Sequence, residues 1–215
     1  MEERDRKAIC LMLDINFDSG VDISTVMEDE DVETYERDHH ITVFYGPPAN
    51  PVNHKEVMED IQSILGEDYY DFSEFLKSEE EVKTSEYFEL GNFENPDNDF
   101  LVLKLKEGNI ISDNLRILQK SLTKKYDILL SFSVYRPHMT LAKLKSGSSM
   151  KYLGQESLKK ILDYSTVSFE DFTFSEGYET DKWKKYNLTT NHVVSRHFRL
   201  ENLKKLYDNE DMRWI

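Results

Sequence analysis

Two short segments constrain this chain more than anything else in it. Residues 38–46 read DHHITVFYG and residues 135–144 read YRPHMTLAKL. Each holds a histidine, an apolar residue, a threonine and a second apolar residue: His40-Ile41-Thr42-Val43 and His138-Met139-Thr140-Leu141, 98 positions apart (138 − 40). Both stretches are rich in β-branched and apolar residues, and the first stops at Gly46-Pro47-Pro48, so both read as strands. Residues i and i+2 of a strand share a face. Each strand therefore sends one imidazole and one hydroxyl to one side and two apolar side chains to the other, into a core. A chain that does this twice is expected to fold as two related α+β lobes, with the motif strands facing each other across a central cleft.

The remaining pattern supplies elements for two such lobes. AICLMLDI (8–15) is a short, continuous apolar run and reads as a buried strand, with Cys10 a buried thiol. The acidic stretch after it is expected to hold a loop and a short helix near 24–36. Val57, Met58, Ile61, Ile64 and Leu65 recur at helical spacing, with Asn53 as N-cap and Gly66 as stop. EVKTSEYFELGNF and DFLVLKLKE read as two strands joined by the turn sequence FENPDND. NLRILQKSL follows as a helix capped by Ser112 or Asp113, and SLKKILDY as another. VSFEDFTFSEG, KWKKYNLTT and HVVSRHFRL read as strands. Residues 1–200 are expected to form one bilobal domain and 201–215 a tail, in which Trp214 hints at docking onto the body or a partner.

Composition excludes whole classes of function. With 42 acidic and 27 basic residues, the net charge is −15. Long nucleic acid needs a basic stripe, which such a surface does not offer. A small phosphorylated ligand remains compatible, since a few local donors set the potential of a pocket. One cysteine forbids an internal disulfide. No run approaches the roughly 18–20 apolar residues of a membrane span, and the charged start lacks a signal-peptide core. A cytoplasmic protein is expected. No GxGxxG, GxxxxGK[ST], HExxH or nucleophile elbow occurs.

Two histidines and two threonines around one cleft suit phosphodiester chemistry without a metal or another cofactor. A neutral imidazole takes a proton from the attacking hydroxyl, and an imidazolium gives one to the leaving oxygen. The threonine hydroxyls donate to the phosphate oxygens, where charge must be held.

The pair HITV and HMTL resembles the signature of the two-histidine (2H) phosphoesterase superfamily, which includes the 2′-5′ RNA ligase-like proteins. HITVFYG, NFENPDNDFLVLKLK and YRPHMTLAKLKSGSSMKYLG further resemble a phage-type branch, some of whose members degrade the cyclic oligonucleotide signals of bacterial (CBASS) immunity. The likeness spans roughly residues 7–188. It implies a bilobal fold with pseudo-twofold symmetry and a metal-free site of His40, Thr42, His138 and Thr140. The substrate it implies is a small nucleotide: a cyclic oligonucleotide, a 2′-5′ oligoadenylate or a 2′,3′-cyclic phosphate. A viral protein at work in its host's cytoplasm fits the same likeness. RNA-end processing and inactive sequestration of a nucleotide are the alternatives, and an acidic interaction protein with coincidental motifs is a third. The branch often carries Ala-Tyr after the second motif, whereas this chain has Ala142-Lys143.

Several residues are weighed as substrate contacts. Tyr45 is recruited as an aromatic face although strict alternation turns it away from His40, unless Gly46 bends the strand. Tyr135 and Arg136 are placed at the cleft mouth. Trp183, beside Lys184 and Lys185, forms a basic-aromatic cluster, and Phe88 and Tyr186 are lesser aromatic candidates. Lys143 is read as a surface lysine on the far face, His39 as structural and His54 as exposed. His192 and His197, five apart, face opposite ways and do not make a metal site.

Overall fold

The computed structural model describes residues 8–20, 22–66, 72, 76, 81–130, 134–177, 184–187 and 193–194. Trp183, His192, His197 and the tail 201–215 lie outside the described residues.

The chain is α+β. Its described strands belong to one antiparallel sheet, built from β1 (Ala8–Asp18), β2 (Val32–Tyr35), β3 (His40–Gly46), β4 (Val82–Lys83), β5 (Phe88–Glu94), β6 (Asn98–Leu105), β7 (His138–Lys145), β8 (Thr166–Gly177), β9 (Lys184–Asn187) and β10 (Val193–Val194). The spatial order is β10-β9-β8-β1-β3-β7-β6-β5, with β2 added beside β7 and β4 beside β8. The two motif strands are therefore neighbours in the middle of the sheet. They meet at a single register pair, Ile41 opposite Met139.

The helices are α1 (His54–Leu65), the single turn α2 (Thr84–Tyr87), α3 (Ile110–Lys125), α4 (Ser149–Leu153) and α5 (Glu156–Tyr164). α1 buries Val57, Ile61 and Leu65, and α3 buries Ile111, Leu115, Leu118 and Leu122. These are apolar stripes at spacings of three and four residues, and they cover the face of the sheet that carries Leu11, Leu13, Ile41, Leu101, Leu103 and Met139. Asn53 caps α1 by accepting from the Lys55 amide, and Gly66 ends it at φ 57°.

The structure departs from the sequence expectations in four places. The stretch near 24–36 holds one turn of 3-10 helix (Ile23–Val26) and then β2, because β7 offers an unpaired edge beyond the end of β3. α3 is capped by Asn109, whose side chain accepts from the Ser112 amide. The sequence EVKTSEYFELGNF is split into β4 and β5 by α2. α4 was not foreseen. It is anchored by Asp99, a buried carboxylate that accepts from the Ser149 amide at 3.0 Å.

Candidate active site

β3 and β7 are built alike, residue for residue. In β3, His40, Ile41 and Thr42 lie opposite Asp14, Leu13 and Met12, and Phe44 lies opposite Leu11. Val43 has no partner and forms a bulge. In β7, His138, Met139 and Thr140 lie opposite Lys104, Leu103 and Val102, and Ala142 lies opposite Leu101. Here Leu141 is the bulge. Both bulges fall three residues after the histidine, and the pseudo-twofold symmetry is visible in this register alone.

The bulges change which residues face the site. An extra residue in one strand resets the alternation beyond it. Tyr45 pairs with Cys10, two residues from Met12, and so stands on the His40–Thr42 face. Lys143 pairs with Phe100, two residues from Val102, and so stands on the His138–Thr140 face. Strict alternation had put both on the far side. Tyr45 is 46% exposed. Lys143 is not a free surface lysine: its Nζ lies 2.9 Å from the Glu33 carboxylate.

The two imidazoles are anchored identically. His40 Nδ1 donates to the carbonyl of Asp38 at 2.7 Å, and His138 Nδ1 donates to the carbonyl of Arg136 at 2.7 Å. A carbonyl only accepts, so Nδ1 carries the proton in both rings, and Nε2 is left as the nitrogen free to gain or lose one. His40, Thr42, His138 and Thr140 are all half-buried, whereas Ile41, Val43, Met139 and Leu141 are buried. Burial holds His138 below the usual histidine range despite the Arg136 carbonyl, and the nearby charges of His40 and Lys104 lower it further.

A second pair of contacts ties the halves together. The Tyr135 hydroxyl donates to the Thr42 carbonyl at 3.1 Å, and His39 Nδ1 donates to the Thr140 carbonyl at 3.3 Å. Each reaches from the residues just before one motif to the threonine carbonyl of the other. With only one register pair between β3 and β7, these side chains complete the join. Tyr135 is therefore a brace whose hydroxyl is committed to backbone, and burial raises its pKa and keeps the phenol protonated. His39 also meets Phe17 edge-on, at 5.2 Å between centroids.

The symmetry ends at the side chains beside each histidine. Opposite His40 stands Asp14, which accepts from the Thr173 hydroxyl at 2.6 Å. Opposite His138 stands Lys104, whose ammonium lies 5.2 Å from the centre of the Phe93 ring. Phe93 in turn meets the His138 ring edge-on, with centroids 4.6 Å apart. Lys104 and Phe93 escaped the sequence reading because nothing local marks them; only the pairing of β5, β6 and β7 brings them to the histidine.

The other candidates are distributed as follows. Arg136 is exposed, and its carbonyl orients His138. Phe88 is a core residue, stacked on Phe169. Tyr186 packs on the core and stacks on His54 at 4.0 Å, so His54 is half-buried rather than exposed. Of the basic-aromatic cluster, only the Lys185 side chain is described; it lines a small recess with Asp14, Asp38, His40 and Glu170. Cys10 is buried, which pushes its thiol up to about 12. Among the described residues, no helix is long and apolar enough to cross a membrane.

Comparison with known proteins adds little to this geometry. No family model and no curated protein matches the chain. A solved structure of Usb1 from Kluyveromyces marxianus is similar at a TM-score of 0.43 and 14% identity, over 83% of this chain and 96% of that one. The same protein with uridine monophosphate gives a TM-score of 0.39 and 12% identity, over 86% and 99%. Likenesses this distant carry no argument about activity, which rests on the residues described above.

Proposed function

We propose that this protein is a phosphodiesterase of small nucleotides that works by two-histidine acid–base catalysis and needs no metal. The observation that carries the reading is the matched anchoring of His40 and His138. Both imidazoles have Nδ1 tied to the carbonyl two residues before, and each shares its face with a threonine hydroxyl two residues on. Two copies of one geometry in adjacent strands supply the two proton-transfer groups that displacement at phosphorus requires.

The asymmetry around the rings supports one assignment of roles. His138, held neutral by burial and by neighbouring positive charge, is the base that takes the proton of the attacking hydroxyl or water through Nε2. His40 is the acid that gives a proton to the leaving oxygen through Nε2. Thr42 and Thr140 donate to the non-bridging oxygens as negative charge builds on them. The substrates proposed are those of the sequence resemblance: a cyclic oligonucleotide, a 2′-5′ oligoadenylate or a 2′,3′-cyclic phosphate. An antagonist of cyclic-oligonucleotide signalling is the biological role that fits the first of these.

The test is turnover of a nucleotide panel in the presence of a chelator, with His40→Ala, His138→Ala and the double variant alongside. Each single substitution is expected to lower kcat/KM by about 10²–10⁴-fold. The double variant should fall well short of the product of the two losses, because the residues act as a unit. Cleavage that needs added metal, or that survives in the double variant, refutes the proposal.

A further inference from the structure

The region beside His138 is opposite in sign to the net charge of the chain. A groove of about 440 Å³ runs from the His138 end of β6 to the first turns of α3, lined by Lys104, Lys106, Arg116 and Arg136 with Glu89 and Glu107. Its side chains sum to +2 (four cations, two carboxylates), in a chain whose net charge is −15. The recess beside His40 is smaller, about 150 Å³, and sums to −1, from Arg37 and Lys185 against Asp14, Asp38 and Glu170, with histidines counted neutral.

The cations of the groove are not all spent on internal partners. Arg116 is: it holds Glu107 at 2.8 Å and reaches the Tyr135 carbonyl at 3.4 Å. Lys106 donates to the Ser85 carbonyl and makes no ion pair among the described residues. The Arg136 guanidinium and the Lys104 ammonium make no ion pair among the described residues, and Lys104 rests instead over Phe93. Lys104 lies flat because Gly91 stands beneath it; a Cβ at that position would come within 2.5 Å of Lys104 Cε. Two of the lining residues flank His138: Lys104 is its register partner, and Arg136 stands two residues before it, its carbonyl holding the ring.

We propose that this groove is a subsite for a second phosphate of the substrate. The inference rests on the phosphodiesterase reading and narrows it. With the scissile phosphate between the two histidines, the neighbouring phosphate falls among Arg136, Lys106 and Lys104. Guanidinium and ammonium groups donate to phosphate oxygens in charge-assisted hydrogen bonds. The protein then acts on short linear or cyclic oligonucleotides in preference to mononucleotide 2′,3′-cyclic phosphates. The net charge of −15 disfavours long strands.

The experiment is equilibrium binding by calorimetry at low salt, on the full chain and on a Lys106→Ala, Arg136→Ala variant. Both side chains are exposed. The probes are adenosine 3′,5′-bisphosphate, adenosine 3′-monophosphate and adenosine 5′-monophosphate. The expected result is that the bisphosphate binds about tenfold tighter than either monophosphate, as one additional charge-assisted phosphate contact predicts. That advantage should collapse in the variant. Equal binding of all three probes, or an advantage that survives in the variant, overturns the subsite. So does failure of every probe to bind. None of these outcomes depends on turnover, so a chain that cleaves dinucleotides yet shows no bisphosphate advantage loses the subsite and keeps the phosphodiesterase.

Discussion

Replacing Tyr135 with Phe tests whether the two halves of the site are held together as described. The hydroxyl donates to the Thr42 carbonyl at 3.1 Å, at the long end for an O–H···O hydrogen bond. Phe fills the same space, so no cavity opens, and the loss is confined to one hydrogen bond. The carbonyl it leaves behind is part-buried beside an apolar ring, which makes the cost the desolvation of an unpaired acceptor, about 1–2 kcal/mol. For a chain of 215 residues this corresponds to a fall in Tm of roughly 2–8 °C. Function should suffer as well, because Thr42 lies in the only stretch where β3 meets β7. A slip between the motif strands moves one histidine relative to the other, and such misplacement costs on the order of 10-fold to 100-fold in kcat/KM. Thermal unfolding and turnover are measured on the same preparation. An unchanged Tm with unchanged kcat/KM refutes the brace. A lower Tm with full activity leaves the bond structural and removes its role in alignment.

Three further outcomes follow from the same geometry. Lys104→Gln removes a positive charge beside His138, so protonation of that ring becomes easier and its pKa rises; the acidic limb of the pH–rate profile should move to higher pH, and a limb that stays put or moves down excludes His138 as the base. Gly91→Ala should move the same limb in the same direction with little loss of stability, since the new methyl meets only the flexible end of Lys104; a large drop in the urea midpoint would show that the strand, not the lysine, gives way. Gly46→Ala should destabilise by about 1–3 kcal/mol in urea unfolding, because its Cβ would stand 2.8 Å from the backbone oxygen of Leu129 and 3.0 Å from Ile128, and a wild-type midpoint would contradict that contact.

Much of the frame is legible in the residues. The repeated His-x-Thr pattern marks two equivalent strands, and alternation places His40, Thr42, His138 and Thr140 on one side and their apolar neighbours on the other, because strand geometry is a local property with period two. The stripes of α1 and α3 and the Asn53 cap are local in the same sense. β2 was missed because a four-residue strand of mixed polarity exists only where a neighbour offers an edge, and β7 offers one past the end of β3.

The site beyond its four motif residues is a product of pairing. A bulge is a relation between two strands and leaves no mark in either alone, yet the bulges at Val43 and Leu141 decide that Tyr45 and Lys143 face the histidines. Tyr135 looks like a residue of the cleft mouth until the opposite strand's carbonyl is in place to receive its hydroxyl. Lys104 and Phe93 come from separate strands and converge on His138 only when β5 and β6 pair beside β7. The sequence by itself determined that the chain carries two matched proton-transfer groups on two strands. Tertiary structure alone decided that Lys104 stands opposite one ring and Asp14 opposite the other, because these charges arrive from neighbouring strands.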